Sequence, residues 1–139
     1  FEKKFKTSYK LNLYPDALVD IFETSNDTVT SQFRTRSIED YGEISLAIQN
    51  PEKVPVIIQL TDINDVTVAQ ETSSENKTIS FNYLIPKKYK IRIIYDTNNN
   101  GKWDTGNYLQ KKQAEPVEYF PDIQEVRPNW ELNEVIKIK

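Results

Sequence analysis

The chain has 139 residues and 37% hydrophobic content, which is enough for one ordinary domain, or one small domain plus a fragment, with a thin two-layer core. Its 18 basic and 21 acidic residues are interspersed and give a net charge of −3, so we expect no nucleic-acid partner, and no apolar stretch is long enough to span a membrane. The sequence contains no cysteine and no histidine, which excludes disulfides, thiolate metal sites and histidine-based catalysis; paired carboxylates are the main chemistry left, and we expect no enzyme.

The first third of the chain alternates apolar and polar residues with period two, which predicts strands. Tyr9, Leu11 and Leu13 mark one strand, and residues 28–35 form another. Residues 16–23 resist this pattern, because their apolar side chains would fit a single helical turn or a loop tucked under a sheet. Both interpretations stay open at this point. The chain starts at Phe1 and contains no methionine, so we expect a piece of a longer precursor or a processed product.

The same alternation continues through the rest of the chain. Predicted strands include the run with Ile44, Leu46 and Ile48, residues 54–60, residues 66–69, the run with Ile79, Phe81, Tyr83 and Ile85, residues 89–95, residues 117–120, and residues 134–139 with Ile136 and Ile138 inward. Pro55 predicts an edge position or a strand start. About nine short strands, with turn signals every eight to twelve residues, predict an all-β fold, an antiparallel β-sandwich of the Ig-like or prealbumin-like kind with little helix.

Residues 96–106 place oxygen-bearing side chains at positions one, three, five and nine around a glycine at position six, which is the spacing of a calcium loop. The predicted metal ligands are Asp96, Asn98, Asn100, the backbone carbonyl of Lys102, and Asp104. Gly101 would take the left-handed corner of the loop. The alternative is a bare hairpin turn, because Asn100-Gly101 between strands is a strong turn signal by itself.

The flanks of this loop exclude an EF-hand. A strand precedes the loop where an EF-hand has a helix, and Asn107 stands where an EF-hand has a bidentate glutamate. With only two carboxylates we expect a dissociation constant of roughly 0.1 to 1 mM for calcium. A carboxylate from elsewhere would tighten binding, and the candidates are Asp65, Glu115 and Asp122.

Aromatic residues near the C-terminal loops support a different hypothesis, that of a carbohydrate-binding module. Trp103, Tyr108, Tyr119 and Trp130 would stack on sugar faces, while Asn107 and Asn129 would bind hydroxyl groups. The alternative is that Trp103 and Tyr108 clamp the loop against the sheet, since aromatic rings contribute strongly to small cores.

Several segments together carry a family resemblance. They are residues 41–46, 55–60, 89–96, the loop to residue 109, Tyr119-Phe120-Pro121, and Asn129-Trp130. They resemble the C-terminal part of Bacteroidota cell-envelope proteins with a bacterial Ig-like domain. Residues 1–36 are similar to the closing strands of that domain, and residues 37–139 resemble a transthyretin-like or Cna B-type sandwich. The loop also resembles the calcium loops of B repeats in staphylococcal serine-aspartate adhesins.

This resemblance implies a lipoprotein or secreted protein outside the cytoplasm, with calcium as its cofactor. We therefore expect a non-catalytic β-sandwich module with a structural or adhesive role and a protein or glycan partner. The alternative expectation is a carbohydrate-binding module of a polysaccharide-utilisation or surface glycan-binding protein, with Trp103, Tyr108 and Trp130 as its ligand-binding residues.

Overall fold

The computed structural model describes Glu2 and residues 4–139, and the chain divides into two compact units, residues 1–38 and 39–139. We name them unit 1 and unit 2. Both consist of strands and loops, and the only helical element in the described residues is a short 3₁₀ turn at Ile38–Asp40. The predicted all-β class is confirmed. The assignment of the two parts to an Ig-like domain and a transthyretin-like domain stays a prediction.

Unit 1 is a two-stranded antiparallel hairpin of β1 (Ser8–Leu13) and β2 (Val29–Arg34). Tyr9 lies opposite Phe33, and their rings stack with centroids 5.4 Å apart. Side chains on alternate positions share a face, so this face is largely apolar and the other is polar. No described residue of unit 1 is fully buried, so the hairpin has an apolar face but no core of its own.

Residues 16–23, for which the sequence allows a helical turn or a buried loop, adopt neither conformation. It consists of turns closed by an isolated bridge between Val19 and Ser25. Asp20 holds these turns, since its Oδ1 accepts hydrogen bonds from the Phe22 and Thr24 backbone N–H groups at 2.8 and 2.9 Å. Local Asx hydrogen bonding competes with helix formation, and Phe22 is left exposed.

Unit 2 contains the remaining eight strands. They are β3 (Gly42–Gln49), β4 (Val56–Asp62), β5 (Thr67–Ser73), β6 (Lys77–Leu84), β7 (Lys88–Tyr95), β8 (Val117–Tyr119), β9 (Gln124–Glu125) and β10 (Glu131–Lys137). One sheet has the order β10-β3-β6, and the other has the order β5-β4-β7-β8 with β9 also paired to β7. All neighbours are antiparallel except β10 and β3, which are parallel. The sandwich is therefore mainly, but not wholly, antiparallel.

The two sheets of unit 2 bury a continuous aliphatic cluster. Its fully buried members include Ile44, Leu46, Ile48, Val56, Ile58, Leu60, Ile79, Ile91, Ile93, Ile136 and Ile138. The inward positions predicted for Ile136 and Ile138 are confirmed. Pro55 stands directly before β4, which lies between β5 and β7, so the prediction of a strand start is confirmed and that of an edge is wrong.

The alternation predicted along β6 fails at its end. Ile79 and Phe81 are buried as predicted, but Tyr83 is exposed and Leu84 is buried in its place. Tyr83 has a positive φ of 57°, and the β3–β6 register shifts at this point. A bulge of this kind changes which residues face the core.

Within the residues that the structure describes, no helix is long and apolar enough to cross a membrane.

Candidate functional site: the 96–106 loop and its surroundings

The strand predicted to lead into the loop is present as β7, and the loop starts at the residue after it. Asp96 is 2% exposed, and its backbone N–H donates to the Pro55 carbonyl at 3.0 Å. Gly101 has φ 75°, so the predicted left-handed corner is confirmed. The first predicted ligand is thus fixed by the end of the sheet.

The Asp96 carboxylate organises the first half of the loop. Its Oδ1 accepts the Asn100 N–H at 3.0 Å and its Oδ2 accepts the Gly101 N–H at 2.7 Å. Both oxygens therefore bind backbone groups four and five residues further along. This curls the chain around the carboxylate, as a loop that gathers its side chains at one centre requires.

Three other predicted ligands meet at a single oxygen. Asn98 Nδ2 and Asn100 Nδ2 both donate to Asp104 Oδ2, the second at 2.8 Å. The amide oxygens accept backbone N–H groups of the loop in this arrangement, since Asn98 Oδ1 accepts the Asn100 N–H and Asn100 Oδ1 accepts the Lys102 N–H at 2.8 Å. The side chains therefore converge, with positively polarised N–H groups directed at the carboxylate.

Glu115 does reach the loop, although its contacts are with groups that shape the loop. Its Oε1 accepts the Thr97 N–H at 2.8 Å and the Thr97 hydroxyl at 3.0 Å, and its Oε2 accepts the Asp104 N–H at 3.1 Å. The side chain is buried, and the Glu115 N–H returns a hydrogen bond to the Asp104 carbonyl at 3.1 Å. Glu115 thus ties both ends of the loop together.

The other two acidic candidates lie elsewhere. Asp65 Oδ1 is 3.0 Å from Lys90 Nζ, near the start of β7, whereas the loop follows the end of β7. Asp122 shares with Asp65, Lys90 and Tyr119 the lining of a separate depression of about 340 Å³. Of the three candidates, Glu115 is the one that the structure brings to the loop.

The carboxylates at the loop are few. No group of three or more His, Cys, Asp or Glu side chains that could hold a metal occurs among the described residues. The predicted ligand set has only two carboxylates, Asp96 and Asp104, and otherwise relies on amide and carbonyl oxygens. Such a set suits a hard cation that accepts neutral oxygen ligands.

The three aromatic residues predicted to bind a ligand have different surroundings. Trp103 is half exposed, and its indole N–H donates to the Glu115 carbonyl at 3.1 Å, which attaches this loop residue to the segment before β8. Tyr108 is 95% exposed at the tip of a turn closed by Asn107 and Lys112, so it does not clamp the loop. Trp130 is half exposed, with the Arg127 guanidinium 5.5 Å from its ring centroid.

A groove of about 590 Å³ runs beside the loop. One wall is formed by Asp96 and residues 99–101, and the other by residues 72–77, which are the end of β5, the turn after it and the start of β6; Pro55 and Val56 also line the groove. Its lining is mainly polar, so one side of the metal-loop candidate faces open space.

The strand next to the loop carries two tyrosines with altered acidity. Burial raises the pKa of Tyr95, and its hydrogen bond to Glu118 Oε2, 3.0 Å long, raises it further. Burial also raises the pKa of Tyr89, whose hydroxyl donates to the Ile85 carbonyl at 2.9 Å. Both phenols are therefore neutral structural groups at ordinary pH.

Comparison of the chain with protein-family models gives no match, and comparison with curated protein sequences gives none either. The resemblance to Bacteroidota envelope proteins therefore remains a prediction from sequence motifs.

Proposed function

We propose that this chain is a non-catalytic β-sandwich module of the cell envelope or of a secreted protein, with a structural or adhesive role, and that calcium braces its 96–106 loop. The observation that supports the metal proposal best is the convergence of Asn98, Asn100 and Asp104 at one point, next to the buried Asp96. The four predicted ligand side chains are thus connected. Asn98 and Asn100 donate hydrogen bonds directly to Asp104, and Asp96 accepts hydrogen bonds from the backbone of Asn100 and Gly101.

Calcium would be held by Asp96, Asn98, Asn100, the carbonyl of Lys102, and Asp104. For this, Asn98 and Asn100 would turn their amides by half a rotation, which replaces two N–H contacts to Asp104 by two oxygen ligands. The cation would supply charge compensation for Asp96 and Asp104 and would fix the loop. Binding to the folded state alone would raise the free energy of unfolding by about 1.4 kcal/mol when calcium is ten times its dissociation constant.

The hydrogen bonds of the buried carboxylates support a role without catalysis. Asp96 and Glu115 are the two buried carboxylates among the described residues, and both accept backbone N–H bonds that shape the loop. A general acid or base needs an oxygen directed at a substrate. These carboxylates serve the scaffold, which favours a module over an enzyme.

Thermal unfolding in 5 mM calcium and in EDTA tests the metal proposal. We expect calcium to raise the midpoint by about 5–10 °C, from the stabilisation above and the usual response of a domain near 100 residues. Asp104→Asn should lose most of this rise, whereas the control Asp65→Asn, which lies outside the loop, should keep it. Identical midpoints of the unsubstituted chain in calcium and EDTA would refute calcium binding.

A carbohydrate-binding module is the second candidate, and the exposure of Trp103, Tyr108 and Trp130 favours it. Exposed rings stack on sugars, and tryptophan fluorescence would report such contact. Titration with neutral oligosaccharides should change the emission of the unsubstituted chain, and Trp103→Phe or Trp130→Phe should remove part of the change. If no oligosaccharide changes the emission spectrum, the carbohydrate-binding role is refuted and only the structural role stays proposed.

A further inference from the structure

The outer face of the β5-β4-β7-β8 sheet carries an ordered polar row. Along β4 and β7 the alternate residues Ile58, Leu60, Ile91 and Ile93 face the core, so Gln59 and Arg92 lie on the opposite face, where Gln59 is buried and Arg92 is half-buried. Cross-strand pairing then aligns Gln70 with Gln59, Gln59 with Arg92, and Arg92 with Tyr119. Directly opposed residues share a face, so these four side chains form one row across four strands.

Hydrogen bonds fix the orientation of this row. Gln59 Nε2 donates to Gln70 Oε1 at 3.0 Å, and Gln59 Oε1 accepts from Arg92 Nε at 2.8 Å and from Arg92 Nη2. Arg92 Nη2 also donates to Thr67 Oγ1 at 3.4 Å. The guanidinium is thus held by neutral acceptors in a set direction before any ligand arrives, which lowers the entropy lost on binding.

The charge of Arg92 has no acidic partner in the part of the chain that the structure describes. The ion pairs found there join Lys77 to Glu71, Lys87 to Asp62, Lys90 to Asp65, and Lys139 to Glu118. Arg92 is half-buried, so water screens its charge only in part. Since Nε and Nη2 donate to Gln59 and Thr67, Nη1 is the guanidinium nitrogen left to donate a charge-assisted hydrogen bond to a carboxylate oxygen.

The neighbours of Arg92 favour a sugar acid over an acidic peptide. Tyr119 is 48% exposed and offers a ring face, while the exposed amide of Gln70 offers a donor and an acceptor for hydroxyl groups. The row crosses the strands and spans about 14 Å at the usual strand spacing. A peptide recognised by β-addition would instead run along a sheet edge.

We propose that this row, Gln70-Gln59-Arg92-Tyr119, binds an acidic oligosaccharide, with Arg92 on a uronate carboxylate, Tyr119 against a sugar ring and Gln70 on hydroxyl groups. The proposal does not depend on calcium, because none of the four residues belongs to the 96–106 loop. It also differs from the ligand-binding residues predicted at Trp103, Tyr108 and Trp130, and shares with the predicted sugar-stacking aromatic residues only Tyr119.

The test is calorimetric titration of the full chain with a galacturonic acid tetramer, in EDTA and 150 mM NaCl, together with ¹⁵N spectra of the arginine Nε–H groups. We expect saturable binding that shifts the Arg92 signal. Arg92→Gln should weaken binding about tenfold or more, as is usual when a charge-assisted hydrogen bond is lost. Arg127→Gln removes the same charge at Trp130 and should change the affinity less than twofold.

Further arms separate this proposal from simpler ones. Tyr119→Ala should weaken binding several-fold, although it leaves the charge unchanged. Arg92→Lys should recover only part of the affinity that Arg92→Gln loses. The lysine variant also keeps the test valid if the glutamine variant unfolds. A neutral galactose tetramer should bind at least tenfold more weakly. Equal binding of the neutral tetramer, equal or better binding of a glutamate tetrapeptide, an unshifted Arg92 signal, or no heat at 10 mM acidic tetramer would each overturn the proposal.

Discussion

Replacing Glu115 by alanine should destabilise unit 2 more than any other exchange of an acidic residue at the loop. The carboxylate accepts three hydrogen bonds, from the Thr97 N–H, the Thr97 hydroxyl and the Asp104 N–H. A bond to a charged acceptor contributes about 1.5–3 kcal/mol, and the three bonds share one side chain, so they do not add fully. We expect a loss of about 3 kcal/mol in the free energy of unfolding, or about 10–20 °C in the midpoint.

The assay is urea and thermal unfolding in EDTA, so that no metal contributes. Glu115→Gln keeps one oxygen for Thr97 but directs an NH₂ group at the Asp104 N–H, so it should cost about 1–2 kcal/mol. The control Glu131→Gln changes an exposed residue of β10 and should stay within about 0.5 kcal/mol. If Glu115→Ala is as stable as Glu131→Gln, the hydrogen bonds assigned to Glu115 do not hold the loop.

Three further expectations concern the rest of the chain. Gly42→Ala should lower the free energy of unfolding in urea by about 1–3 kcal/mol, because a Cβ there would lie 2.5 Å from the Arg127 carbonyl oxygen and 2.5 Å from Val126 Cγ1. An unchanged free energy of unfolding would contradict this packing. A fragment of residues 39–139, which contains every described buried residue, should unfold cooperatively by circular dichroism, whereas a 1–38 peptide should show no cooperative transition, since an isolated hairpin is marginal. Burial raises the pKa of Tyr89 in the folded state, so the unfolded chain loses this proton first and the free energy of unfolding should fall as the pH rises through and above about 10. Urea unfolding at pH 8 and pH 10.5 checks it, and Tyr89→Phe should show a smaller fall; an equal fall would assign the pH effect to other groups.

Strand positions could be predicted from sequence where one face of a strand is buried and the other is exposed to solvent. The strand predicted at residues 134–139 is found as β10 at Glu131–Lys137, and Ile136 and Ile138, which alternate with polar residues, are both buried as predicted. The corner at Gly101 was equally predictable, because a left-handed turn residue between Asp/Asn side chains has a strong local signal. In each case the physical cause lies within a few residues of its effect.

Predictions failed where the cause lies far along the chain. The exchange of Tyr83 for Leu84 at the end of β6 depends on a register shift against β3, about forty residues earlier. The parallel pairing of β10 with β3 joins the last strand of unit 2 to its first, and alternation carries no information about strand direction. Glu115 was one acidic candidate among three, and only the folded chain shows which one approaches Thr97 and Asp104.

The calcium loop and the polar row also differ in how far apart their residues lie along the chain. This explains why the sequence predicted only the calcium loop as a site. The calcium loop is a contiguous segment, so spacing alone identifies its ligands. The polar row draws one residue from each of four strands, between positions 59 and 119, and no local pattern connects Gln59 with Tyr119. Pairing register creates that row, because a slip of one residue in β7 would send Arg92 into the core and Ile91 or Ile93 onto the outer face. A ligand site on a sheet face therefore depends on the strand register that aligns its residues. Here the β4–β7 pairing places Arg92 opposite Gln59, which fixes the direction of the guanidinium.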